Sequence, residues 1–228
     1  MNPHTYHLEE LSIAGNRDDP RRIMPPIEKN HQSILDIGCG AGQTLIASDL
    51  APDKMAVGVD VHHDSLSLGR QLSSSIQFVC GKGEALPFKD ECFDLVISRV
   101  ALPYMHAQSA ISEMSRVLKT GGDLWIVLHP FRMIMKEMVK NITNLKPRGA
   151  LYQVYVLING MTLHLFNKQF ALPFRGGRYE SFQTRSGITR ILRATGFESI
   201  KISDDKFFVV TAKKIALREQ SPPARLKL

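Results

Sequence analysis

Ser33-Ile34-Leu35-Asp36-Ile37-Gly38-Cys39-Gly40-Ala41-Gly42-Gln43-Thr44 is the stretch on which the fold turns. Its apolar run, Ile34, Leu35 and Ile37, has the length and branching of a buried strand, three alternate glycines follow, and a helical pattern begins at Gln43. Strand, tight turn and helix start place free backbone N–H groups at a helix N-terminus, where a small ligand can be cradled. Glycines there let the backbone approach that ligand closely.

Spacing and one carboxylate narrow the ligand. A dinucleotide turn runs G-x-G-x-x-G, whereas here the order is Gly38-x-Gly40-x-Gly42, with Asp36 two residues before the first glycine. An acid at that point repels a pyrophosphate and attracts an ammonium, while the glycine N–H groups suit a carboxylate. S-adenosylmethionine carries both groups, and an NAD enzyme is disfavoured.

On these residues, 33–129 resemble the class I S-adenosylmethionine-dependent methyltransferases, in particular the small-molecule branch with a Leu-Asp-Ile-Gly-Cys-Gly first motif. The resemblance implies a Rossmann-like, doubly wound α/β sheet of seven strands whose last pair contains one antiparallel strand. It also implies cofactor contacts from Asp36 and from the turn Gly38, Cys39 and Gly40. Further matches follow in order. Met55 to Asp60 reads as a second strand ending in an acid, and Asp60 is placed to accept both hydroxyls of an adenosine ribose, with Val61 and His62 beside the adenine. Ile76 to Cys80 reads as strand three, and Gly81-Lys82-Gly83-Glu84 is similar to the family's third motif. Lys82 occupies the position of an acid that holds the adenine amino group; an ammonium cannot accept a hydrogen bond, so that contact shifts to the Gly83 backbone and Glu84. Phe93 to Ser98 reads as strand four, and its end, Ser98 and Arg99, lies where the family's cofactor meets its substrate. Arg99 either meets an anionic substrate or pairs with a carboxylate such as Glu84. Glu113 with Arg116 to Gly122 resembles the family's helix-to-strand-five signature, the glycine pair ending the helix.

His62-His63-Asp64 does not read as a metal site, since adjacent residues at a helix start point in different directions and Asp64 suits an N-cap. No metal is expected. The catalytic candidates are His129, at the end of strand five beside the expected pocket, and His106, in the loop after strand four; an imidazole titrates near neutrality. Tyr104 is read as packing.

Residues 1–32 form a lead-in with a short helix from Tyr6 to Ile13, either folded over the cofactor or frayed. The core comprises 33–129 and 186–213, with a long insert at 130–185 and a mobile tail at 214–228. Within the insert, Phe131 to Ile142 has helical spacing, and two β-rich runs flank Asn159-Gly160, the pattern of a β-hairpin. The resemblance implies that the insert caps the substrate, with a homodimer surface or a satellite core as the alternative; Arg175-Gly176-Gly177-Arg178 is a lid turn or inert.

The chain has 228 residues and a net charge of +7, unevenly divided. Residues 1–129 hold 11 Lys/Arg against 16 Asp/Glu, and 130–187 hold 9 against 2. That basic insert suits an anionic substrate or nucleic acid, or is a solvated face. Three cysteines without C-x-x-C spacing, no long apolar window and no secretory pattern lead to an expectation of a reduced, cytoplasmic protein without a membrane span. The activity expected is direct methyl transfer to a small molecule, with an RNA methyltransferase or a non-catalytic S-adenosylmethionine-binding protein as alternatives.

Overall fold

The computed structural model describes residues 3–172 and 179–215. Along the chain come α1 (Pro3–Gly15), β1 (Ser33–Ile37), α2 (Gln43–Ala47), β2 (Met55–Asp60), α3 (His63–Leu72), β3 (Ile76–Cys80), β4 (Phe93–Arg99) and a 3-10 turn, Leu102–Tyr104. Then follow α4 (Ala107–Val117), β5 (Leu118–Leu128), α5 (Phe131–Thr143), α6 (Pro147–Phe166), α7 (Arg185–Ala194), β6 (Phe197–Ser203) and β7 (Phe208–Lys214). The seven strands form one sheet in the order β3-β2-β1-β4-β5-β7-β6, with β7 antiparallel to both neighbours and the pairs from β3 to β5 parallel. This is the Rossmann-like, doubly wound arrangement expected.

Strand alternation builds two cores. Leu35, Ile37, Val96, Leu124 and Ile126 join one apolar cluster with Ile111 and Met114 of α4 and Ile188 and Leu192 of α7. Ile34, Leu95, Ile97, Trp125 and Val127 join the other, with Leu45 of α2 and Leu66 of α3. A period of two sends neighbouring residues to opposite faces, so helices must cover both. Chain order reverses between β1 and β4, and the crevice beyond their C-terminal ends is where a ligand site forms in such sheets.

The hairpin expected around Asn159-Gly160 is absent: both residues lie inside the 20-residue helix α6. Asn159 is buried at 1% exposure. Its Nδ2 donates to the carbonyls of Phe170 and Glu180, and its Oδ1 accepts from the Phe170 N–H at 2.7 Å. Gly160 is a notch for the Phe182 ring, which lies 2.2 Å from where a Cβ would stand. The dipeptide serves packing and polar anchoring rather than a turn, and these tertiary contacts outweigh the β preference of Val154, Tyr155, Val156 and Ile158.

His62, not Asp64, sits at the N-cap of α3, and Asp64 falls in the first turn. Helix α4 ends at Val117, ahead of the glycine pair, and Gly121 and Gly122 lie within β5. Lys214, assigned to the tail, is the last residue of β7, buried, its Nζ donating to the Leu118 carbonyl and to Glu91. Residues 216–228 of the tail and Arg175 to Arg178 lie outside the described residues.

Because Asn159 satisfies two backbone carbonyls and one N–H, Asn159→Leu is expected to lower the unfolding free energy by about 1–3 kcal/mol. Gly160→Ala is expected to cost a similar amount, about 1–3 kcal/mol, through overpacking against Phe182. Urea denaturation followed by circular dichroism measures both, and an unchanged midpoint contradicts the helical packing.

Candidate functional site

Two turns and a loop converge at the order reversal. Gly38 and Gly40 adopt φ of 72° and 57°, the left-handed region that a side chain rarely tolerates. The N–H groups of Gly38 and Cys39 donate to the Val59 carbonyl, which ties the turn to β2. Asp60 completes the tie: its Oδ2 accepts from the Gly40 N–H at 2.9 Å, and its Oδ1 accepts from the His62 N–H at 2.9 Å and faces His62 Nδ1 at 3.0 Å. Val61 and His62 lie exposed at the rim.

Asp36 lies inside this frame. Its side chain is buried and its Oδ1 has no hydrogen-bond partner. Burial pushes its pKa up to about 7, against the pull of Arg99 and with a further push from Asp60. Ser98 Oγ, at the end of β4, is likewise buried and unpartnered.

Arg99 is held from the other side. Its Nη2 pairs with Glu10 of α1 at 3.0 Å and its Nε donates to Thr44 Oγ1 of α2 at 3.1 Å, so its partner is Glu10 rather than Glu84. Helix α1 thereby lies over the glycine turn. His7 makes the second attachment: Gln43 Nε2 donates to its Nδ1 at 2.7 Å and its Nε2 reaches Ser65 Oγ at 2.8 Å. Accepting at Nδ1 and donating at Nε2 is the neutral tautomer, in keeping with a pKa lowered chiefly by burial.

The loop after β4 closes the remaining side. Val100, a β-branched residue, has φ of 60°, a strained conformation at the strand end. Beyond it, Ala101 abuts Gly38, its Cβ 2.2 Å from where a glycine Cβ would stand, and Met105 Sδ lies 2.6 Å from the equivalent point at Gly83. Glu84 Oε1 accepts from the His106 N–H at 2.9 Å. His106 caps α4, its Nδ1 accepting from the Ser109 N–H, and its ring meets Tyr179 edge-on. The turn carrying Gly83 is fixed by Glu113, which accepts from the Leu86 N–H at 2.7 Å and is gripped by two nitrogens of Arg116. Lys82 is exposed. His129 is half-buried, which lowers its pKa, and its Nε2 lies 3.1 Å from the Tyr104 hydroxyl.

The insert is latched onto this loop. Gln169 Oε1 accepts from the Ala107 N–H at 2.7 Å, its Nε2 donates to the Met105 carbonyl, and the Ser181 N–H donates to the Pro103 carbonyl. Glu180, beside that latch, has its pKa pushed up to about 7 by burial. The structure thus brings Asp36, Gly38, Cys39, Gly40, Asp60, Gly83, Ser98 and Arg99 to one crevice, with Val61, His62 and Glu84 at its edges and His106 committed to a helix cap. Sequence reading did not find His7, Glu10 and Met105, because none belongs to a local motif. The one signal was Arg99, a charge at a strand end that required a partner. Among the described residues, no group of three or more His, Cys, Asp or Glu is arranged to hold a metal ion.

Residues 35–126 match the methyltransferase domain family. An uncharacterised methyltransferase of Bacillus subtilis is 30% identical over 148 residues, 61% of this chain and 58% of that protein. The demethylmenaquinone methyltransferase of Chlorobaculum tepidum is 27% identical over 170 residues, 72% of this chain and 65% of that protein. The chain therefore spans less than two thirds of the length of these curated relatives. A solved S-adenosylmethionine-dependent methyltransferase of Thermotoga maritima, described as a possible histamine N-methyltransferase, shares the fold with a TM-score of 0.58 at 18% identity, covering 93% of this chain and 91% of that one.

The raised pKa of Asp36 fixes a pH dependence. The folded protein holds a proton there that the unfolded chain, with an ordinary value of 3.8, releases. Stability from this site is full below about pH 4 and is lost as pH rises through about 7. Asp36→Asn removes the loss, so the stability of wild type relative to the variant is expected to fall between these limits by up to roughly 4 kcal/mol. Urea titrations across that range measure it, and a pH-independent difference contradicts it.

Proposed function

We propose that this chain, whose residues 35–126 match the methyltransferase domain family, is a class I S-adenosylmethionine-dependent methyltransferase and that it methylates a small, partly apolar molecule held between the loop after β4 and the insert. The observation that carries the reading is Asp36: a buried acceptor without a donor, one strand turn from a glycine cradle, fits the ammonium of the cofactor's amino-acid end. The residues fit the rest of the group as well. Gly38, Cys39 and Gly40 offer the backbone of the turn, Asp60 offers two acceptor oxygens to a ribose, Val61 and His62 flank the base, and Gly83 and Glu84 stand at its far edge. Ser98 and Arg99 border the reacting end. Bound S-adenosylmethionine supplies a methyl group already activated on a sulfonium leaving group, so alignment and exclusion of water are the protein's main tasks.

The latch from Gln169 and Ser181 to the loop after β4 supports a small acceptor, since it ties the insert to the loop that borders the crevice. Aromatic side chains on the insert, Tyr179 against His106 and Phe182 against Phe131, suit an apolar one. The name of the demethylmenaquinone methyltransferase points the same way. His129 takes the proton of the acceptor. Burial keeps its imidazole neutral to lower pH, and Tyr104 holds its Nε2. A second reading, non-catalytic binding, is favoured by one observation: Met105 and Ala101 pack against the two glycine turns. On the catalytic reading, Met105 swings away when cofactor enters.

Calorimetric titration with S-adenosylhomocysteine tests the site. Asp60→Ala is expected to weaken binding by roughly tenfold or more, the loss of two hydrogen bonds to a charged acceptor. Met105→Ala is expected to tighten it, because a competing side chain is removed. Below pH 7 binding should release a proton from Asp36, seen as a dependence of the heat on buffer ionisation. No binding by the wild type, or an unaffected Asp60→Ala, overturns the assignment.

His129→Ala is expected to lower the turnover number by about 100-fold or more once an acceptor is found, with S-adenosylhomocysteine affinity unchanged. The wild-type rate should rise with pH with its midpoint below the ordinary histidine value of 6.5, since burial lowers that pKa. A variant with full turnover removes His129 from the mechanism.

A further inference from the structure

Helix α6 is apolar on two opposite sides. Val156, Asn159, Gly160 and Leu163 are buried against the rest of the protein. Leu151, Val154, Ile158, Met161 and Leu165 recur at intervals of three and four on the opposite side and are 43–72% exposed. From Gly149 to Phe166 no residue carries a charge. The exposed stripe is extended at one end by Leu145, 88% exposed at the α5–α6 turn, and at the other by Phe166 and Phe170. Exposed apolar area on this scale marks a surface that is covered in use.

The surrounding charge selects the occupant. Residues 131–170 hold six Lys/Arg against one acid, Glu137. Lys146 and Arg148 lie exposed beside Leu145, Lys168 lies exposed beyond the C-terminal end of the stripe, and Lys136 and Lys140 are exposed on α5. Two copies meeting through this face would set like charge against like. An anionic lipid surface instead meets apolar side chains with its acyl region and the cations with its headgroups.

We propose that the α5–α6 hairpin docks the protein on an anionic bilayer surface, with Leu151, Val154, Ile158, Met161 and Leu165 inserted at the level of the headgroups. The protein lies on the bilayer and does not cross it; among the described residues no helix is long and apolar enough to span a membrane. Docking rests on the insert alone and does not depend on the methyl-transfer reading.

The test is cosedimentation of the full chain with vesicles of phosphatidylcholine alone or mixed with phosphatidylglycerol. Binding is expected to the mixed vesicles and to fall as salt is raised, while Ile158→Glu with Leu165→Glu is expected to lower the partition coefficient by roughly tenfold or more. Ile158→Trp gives a second readout in a variant that keeps the helix apolar. Trp125 is buried in the sheet at 3% exposure, so a blue shift of emission on adding mixed vesicles reports the new side chain. Failure of wild type to sediment with mixed vesicles, or an Ile158→Trp emission that does not move, overturns the proposal. So does a lipid-free dimer in sedimentation velocity that Ile158→Glu dissociates, since the face then belongs to a second copy. S-adenosylhomocysteine affinity of the variants, measured separately, keeps failure of the cofactor site distinct from failure of docking.

Discussion

The hydrogen bond from the Gly40 N–H to Asp60 Oδ2 joins the turn after β1 to the end of β2, and the crevice depends on it. With the Gly38 and Cys39 N–H groups on the Val59 carbonyl, it holds a turn whose glycines occupy left-handed φ against the strand that registers beside it. The parallel pairing of Ile34 to Ile37 with Ala56 to Val59 fixes where that turn can stand. Strand alternation then puts Asp36 on the same face as Ile34 and leaves its carboxyl in a low-dielectric interior. A charge confined there without a donor is costly, which is the origin of its raised pKa.

Around this frame the walls are borrowed from distant parts of the chain. Helix α1 covers the glycine turn through Glu10 on Arg99 and His7 on Gln43 and Ser65, contacts that span 36 to 89 positions. The loop after β4 presses Ala101 and Met105 on the two glycine turns, and the insert holds that loop through Gln169 and Ser181. A cofactor must therefore displace side chains to enter, and the strain at Val100 marks the point from which the loop is aimed. The polar attachments are on the rim, whereas Asp36 and Ser98 keep buried oxygens unpaired at the centre. That division suits a crevice whose edge is self-sufficient and whose centre is completed by a ligand.

Much of this was legible locally. Asp36, the glycine turn, Asp60 and the Gly83 turn each sit within a few residues of a strand end, and strand ends follow from apolar runs and branching. Glu113 and Arg116 could be recognised as a signature, but their work, holding the Leu86 N–H and the loop that bears Gly83, appears only once α4 lies beside that loop. Asn159-Gly160 was misread because its local preference is real: the same two residues favour a turn when nothing packs on them. Three hydrogen bonds to Asn159 and the Phe182 ring in the Gly160 notch reverse that preference.

The sequence by itself determined the strand-turn-helix cradle and its two carboxylates, because these follow from apolar runs and from spacings of a few residues, and the doubly wound sheet was legible through the family resemblance those motifs carry. Only the tertiary structure decided that the insert is a pair of helices, that α1 is a roof fastened by Arg99, and that Met105 lies against the cradle. Those outcomes depend on which surfaces meet across tens of residues, and a side chain carries no mark of its distant partner until burial makes its unpaired polar groups costly and its apolar ones favourable.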